Sequence, residues 1–360
     1  MKKKTGSKSS HKSSVAVAAN YKNHLYKKII FVIASFVLLI ILSGIGMGVG
    51  SYSISFVDVY SEILNRLLHW GPLATTDALV IWDLRLPRLL TAITVGIGLS
   101  VAGAAMQSMM KNPLADPFTT GISSGACLGA TLSITLGLSL IGGFYGVVLN
   151  ALILSLVPAT LIVLISQYKK ASPATMILVG ISLMFIFDAI TTYLMLKANP
   201  TTLGAAYEWT VGTLNKSSWG SLSVMFVIVL IGSIVLQYLS KSINAMNSGD
   251  IIAKSLGVNV NLMRILILIV ISVIAAGVVS FTGIISFIGL VSPHIARIFI
   301  GSDNKYLIPA SASVGASLMV FADIVAKTVA PTTLPIGIVT AMIGGPFFLF
   351  LILRQKKDLW

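Results

Sequence analysis

The sequence predicts an all-α polytopic membrane protein with about ten transmembrane helices and both termini cytoplasmic. Three observations predict it. The 360 residues are 56% hydrophobic and only 10% charged, against roughly 25% charged residues in a soluble domain. The mean hydropathy is +0.94. Apolar runs long enough to cross a bilayer core of roughly 30 Å recur along the whole chain. A soluble fold is excluded, and the chain leaves no room for a second domain beside the spans.

Residues 1–28 form a basic, Ser- and Asn-rich tail with eight lysines, expected to be disordered and to touch the inner membrane surface. Residues 29–357 form one transmembrane domain. The tail and the following apolar run imitate a signal peptide, but the charged region is too long, so this is read as an uncleaved first span. The spans are placed at 28–48, 88–109, 119–139, 143–166, 174–196, 219–240, 262–282, 284–300, 307–327 and 335–353. Gly142-Gly143 divides the third from the fourth. Thr282-Gly283 divides the seventh from the eighth. With the N-terminus inside, nineteen of the 25 basic residues fall on the inner side. That bias supports an even number of spans.

The stretch Trp82–Leu132 reads as the packed centre. An arginine-rich entry leads into a small-residue span, a polar hairpin at Lys111–Pro117, and a Gly/Ser/Ala-rich return. Small residues let helices approach closely in lipid. The outer segment 49–87 predicts a short amphipathic helix near Val57–His69. The inner segment 241–263 predicts two short helices. Asn247, Ser248 or Asp250 supplies a cap and Gly257 a stop. Such helices make either a platform for a cytoplasmic partner or a solvated loop. Pro293 and the Gly344-Gly345-Pro346 run predict breaks in the eighth and last spans.

The net charge of +14 collects in the tail and at span ends, so it predicts membrane orientation and no nucleic-acid partner. The single cysteine, Cys127, forms no intrachain disulfide. No phosphate loop, nucleophile elbow, zinc-protease helix or Cys/His cluster occurs. His294 reads as a capping or packing residue. No cofactor is expected. An intramembrane enzyme lacks any paired nucleophile and base. Uphill transport would draw on an ion gradient or on a separate ATPase. Two intramembrane acids stand out. Asp323 lies four residues before Lys327, a pairing spacing, and Asp188 sits mid-span. Two acids fit poorly with a proton relay, which weakens an ion-gradient-driven secondary transporter.

Eight short segments then recur in the order of a known family. They are R-L-P-R at 85–88, G-A-A-M-Q at 103–107, N-P-L-A-D-P at 112–117 and G-I-S-S-G-A at 121–126. A-K-S-L-G-V at 253–258, F-I-G-L-V-S-P-H-I-A-R at 287–297, A-D-I-V-A-K at 322–327 and L-P-I-G-I-V-T-A-M-I-G-G-P at 334–346 follow. The chain resembles the FecCD family, permease subunits of ABC importers for ferric siderophores, haem and cobalamin. The resemblance implies a cell-membrane permease without its own ATPase site. It implies pairing with a second copy or a related permease, two cytoplasmic ATPase subunits and an extracytoplasmic substrate-binding protein. Its most common cargo class is a ferric siderophore; haem and cobalamin are alternatives. It matches Arg85, Arg88 and Lys327 to positions that dock the binding protein. Asp250, Lys254, Leu256, Gly257 and Arg264 match the loop that engages the ATPase. Ser172, Pro173 and Ala174 match an inner gate, where Pro173 and Ala174 depart from the family pattern. Asp188 is a further departure, on a span that lines the family's path; Pro335 and Gly337 open the last span on that path.

Overall fold

In the computed structural model, all residues are described except 1–5, 51, 53, 69–75, 170–172, 331 and 355–360. Fifteen α-helices and no strands occur among them. The outer-side elements are taken from the charge-based orientation. The first helix, α1 (Gly6–Gly48), leads to the surface helix α2 (Phe56–Leu68) and the short α3 (Thr76–Leu79). A π-helical turn at Val80–Arg85 joins α3 to α4 (Leu86–Met110). After the inner hairpin come α5 (Ile122–Leu136), α6 (Gly143–Lys169), α7 (Pro173–Lys197) and α8 (Pro200–Thr210). The second half comprises α9 (Trp219–Tyr238), α10 (Ser240–Asn247), α11 (Asp250–Ser255) and α12 (Val260–Thr282). It closes with α13 (Ile288–Ile300), α14 (Asn304–Thr328) and α15 (Ile336–Arg354).

Each of the ten predicted spans coincides with a helix. Seven are long and apolar enough to cross a membrane; α5, α13 and α15 are shorter apolar helices. The predicted surface helix is α2, and the two predicted inner helices are α10 and α11. Three expectations are corrected. The tail is helical from Gly6, because no Gly or Pro separates it from the first span before Gly44. The helices of the eighth and last spans are continuous through Pro293 and Pro346. A proline deletes one backbone bond, which neighbouring groups in a membrane helix can make good. The predicted loop after residue 196 contains α8, capped by Asn199, whose Oδ1 accepts from the Thr202 N–H at 2.9 Å. Pro200 supplies a first helical residue that needs no donor.

The core sits along α4, whose apolar window is the most buried of the long helices. Its most extensive partner is α14. The two backbones meet where a side chain on Gly96 or Gly315 would collide with the other helix. Gly103 makes the same approach to Gly289 on α13. Lipid offers no hydrophobic drive between helices, so this close dispersion packing holds them together. In contrast, α1 and α7 bury little of their apolar surface within the chain.

Candidate functional site

Two polar sites occupy opposite ends of the α4–α14 pair. At the outer end, Asp323 is 1% exposed and lies between two cations. The Arg88 Nε donates to one carboxylate oxygen at 2.7 Å, and the Lys327 Nζ reaches the other at 2.6 Å. The Arg88 Nη1 also donates to Asn215 Oδ1 at 2.6 Å. The i,i+4 pairing of Asp323 with Lys327 is thus present, and Arg88 from the neighbouring helix completes it. Arg85 stands apart. It is buried and donates to the carbonyls of Met47, Gly48 and Tyr52. The Met47 and Gly48 carbonyls end α1 and Tyr52 lies in the loop beyond it, so Arg85 ties that helix terminus to its loop and has little left for a partner. A cavity of about 220 Å³ opens beside these groups, lined in part by Tyr52, Arg85, Arg88, Lys327 and Thr333. Asp77 also pairs with Tyr52 and acts on Arg85, so two acids stand against three cations and the site keeps a net positive charge that favours an anionic occupant.

At the inner end, Asp250 opens α11. Its carboxylate accepts from Arg264 Nη2 at 3.1 Å and lies 3.6 Å from Lys111 Nζ. Burial pushes this carboxyl up, but Arg264 and Lys111 outweigh burial and hold it below the ordinary value. Asp250 therefore ties α11 to α12 and to the end of α4. It does not cap its own helix: the cap is Gly249, whose φ of +125° suits only glycine. Nor do Asn247 and Ser248, which end α10. Gly257 does stop α11, with φ +81°. Its N–H bonds Lys254 O at 3.0 Å and the Val258 N–H bonds Ala253 O at 3.0 Å, the paired closure of a Schellman motif. Because Ala253 points inward, Ile251, Ile252, Lys254 and Leu256 are left on the surface. Ile251 is 86% and Leu256 67% exposed. This is an apolar patch on a short, firmly anchored inner segment.

The inner hairpin carries a buried acid. Asp116 Oδ1 accepts from the Phe118 N–H at 2.8 Å. Burial raises its carboxyl to about 6, and the Phe118 N–H pulls the other way.

The remaining predicted positions scatter. Ser172 lies outside the described residues. Pro173 begins α7, and Ala174 beside it is exposed. Asp188 is exposed halfway along α7 rather than buried against a polar neighbour. Pro335 is half-buried. Gly337 is buried where its N–H bonds Gly212 O at 3.2 Å and a side chain would strike Val211. It is thus a joint between α15 and the loop after α8. His294 packs edge-on to Phe348, as a packing residue should.

A bundle with seven helices long and apolar enough to cross a membrane defines a multi-pass membrane protein. The FecCD transport family model matches residues 37–354, so the chain belongs to the FecCD family of ABC transporter permeases. It is similar to the hemin transport system permease protein HmuU of Yersinia pestis, with 35% identity covering 89% of this chain and 95% of the relative. The iron(3+)-hydroxamate import system permease protein FhuG of Bacillus subtilis is 31% identical, covering 93% of this chain and all of the relative. The molybdate import system permease protein MolB of Haemophilus influenzae is 32% identical over 92% of this chain and 97% of its own. A solved inward-facing ABC transporter assigned to the metal-chelate type superposes with a TM-score of 0.80 at 30% identity, covering 90% of this chain and 99% of that one.

Proposed function

We propose that this chain is the membrane permease of an ATP-driven importer for an iron chelate, most specifically a ferric siderophore. Haem and cobalamin are the alternatives within the class. The observation that carries this reading is the inner platform of α10 and α11. Its exposed Ile251, Ile252 and Leu256 suit an apolar groove on a cytoplasmic ATPase. The Lys111–Asp250–Arg264 contacts hold that platform to α4 and α12. The chain has no phosphate loop, so ATP hydrolysis is assigned to two separate ATPase subunits. A second permease copy, or a related chain, pairs with it to enclose the path, and Ser172–Ala174 gate its inner end. Reconstitution with these partners and the uptake assay that closes the Discussion test the reading.

The outer cavity is the docking site for an extracytoplasmic binding protein. Its acidic side chains meet Arg88 and Lys327, while Arg85 supports the site by holding the end of α1. Arg88→Glu should weaken binding-protein affinity and flatten its salt dependence. An affinity equal to the wild type at low salt would count against the docking role.

Asp188 supports a water-filled path along α7. A carboxylate in the bilayer core is costly, so it normally faces protein or water. Asp188 is exposed within its own chain, with no ion pair among the described residues. In the assembled complex, Asp188→Cys should react with a membrane-impermeant thiol reagent, whereas native Cys127, buried in α5, should not. An unreactive Cys at 188 in the assembled, active complex would place that face in lipid or a dry interface.

A further inference from the structure

The inner ends of α4, α10 and α14 share a second set of contacts, distinct from the ionic one at Asp250. Ser108 Oγ on α4 donates to Asn304 Oδ1 on α14 at 2.8 Å. Asn304 Nδ2 and its backbone N–H both donate to Asn244 Oδ1 on α10 at 2.8 Å. Asn244 Nδ2 then donates to Asp303 Oδ1 at 2.7 Å. Asn304 is fully buried and Ser108 nearly so. One residue away, Gln107 ties α4 to α13. Its Oε1 accepts from Arg297 Nη1 at 3.0 Å, and its Nε2 donates to Leu290 O at 3.2 Å.

Position gives this chain of amides its meaning. The α4–α14 pair is fastened at three levels. Ser108–Asn304 closes the inner end, Gly96–Gly315 the middle, and Arg88–Asp323 the outer end. Each helix has 25 residues, which is about 37 Å, enough to cross the bilayer core. A pair held this way moves as one body, because neither end can slip without stranding buried polar groups. Asn244 fastens the platform helix α10 to the inner end of that body. The Asp250 contacts are half exposed and weakened by water and salt. The Ser108–Asn304 bond is buried and the part-buried Asn304–Asn244 bonds join neutral groups, so salt has little to screen there; only the Asn244–Asp303 bond carries a charge.

We infer that Asn244, Asn304 and Ser108 form a clamp that makes the α10–α11 platform and the α4–α14 pair move together, linking ATPase contact inside to binding-protein contact outside. They are positioning residues and touch neither nucleotide nor cargo. This inference rests on the permease reading above.

The test uses the full complex of permease, ATPase and binding protein in vesicles. It measures stimulation of ATP hydrolysis by the binding protein, binding-protein affinity without nucleotide, and the unfolding midpoint. Asn244→Ala and Asn304→Ala should each lower stimulation about fivefold or more. The double variant should do no worse than either single one, since one link is broken once. Affinity for the binding protein should hold. Stimulation equal to the wild type in a folded Asn304→Ala complex would overturn the clamp. So would additive losses that track the fall in unfolding midpoint, which is what support of the fold alone would give. If Asn304→Ala does not assemble, Ser108→Ala decides in the same way, since it removes one hydroxyl from the same link. A wild-type complex whose ATP hydrolysis and uptake are unlinked would instead overturn the permease reading, and the clamp with it.

Discussion

Asp323→Asn should destabilise the permease more than any other polar substitution in the outer half. The carboxylate is buried between Arg88 and Lys327. Removing its charge leaves two cations facing each other with their compensation gone. Breaking a buried pair this way costs about 3–5 kcal/mol. The unfolding midpoint in detergent should fall accordingly. Adding Lys327→Met to Asp323→Asn should recover much of the loss, because one stranded cation is then replaced by an apolar chain of similar length. A double variant as unstable as the sum of its single variants would show that the three groups do not act as a unit. Asn215 and Arg88 would keep their own contact in both cases.

The second large effect is expected at the inner platform. Ile251→Asp with Leu256→Asp should abolish assembly with the ATPase while leaving the permease folded. Both side chains face out, so the fold loses little. An apolar anchor at the centre of an interface contributes about 2 kcal/mol or more, and a buried carboxylate adds its own desolvation cost. The measurement is co-purification of the ATPase with the tagged permease, read beside the unfolding midpoint. Retention of the ATPase at wild-type level would show that the platform is not the contact. Lys254→Ala, on the same exposed turn, should have a smaller effect, since it removes one charge at high dielectric.

The legibility of the molecule followed the physics of each signal. Spans were readable because apolar length is a one-dimensional property, and glycines marked the breaks at 143 and 283, where φ is +72° at both. The α2 helix was readable from its spacing of polar and apolar residues. The α8 helix was missed, although Asn199-Pro200 is a start signal, because its sequence lacks a strong apolar stripe. Pro293 and Pro346 predicted breaks, yet each stands inside a continuous helix, because a single missing N–H does not by itself end a membrane helix. At the sites, the Asp323–Lys327 pair was visible as a local spacing. Its third member was not, because Arg88 is 235 residues away in sequence. Arg85 shows the same limit. The family resemblance gives it the same outward role as Arg88, yet its guanidinium turns to the end of α1. The Ser108–Asn304–Asn244 chain joins three separate helices, and no local pattern in the sequence marks it.

The most direct test of the central claim is uptake by purified permease in liposomes, with the binding protein outside and ATP inside. A panel of labelled ferric hydroxamate, haem and cobalamin covers the cargo classes proposed. The permease reading predicts uptake that requires the ATPase subunit and ATP, stays unchanged when proton and sodium gradients are collapsed, and is lost with Ile251→Asp and Leu256→Asp. Uptake by the permease without any ATPase, abolished by collapsing an ion gradient, would contradict it and establish a secondary transporter instead.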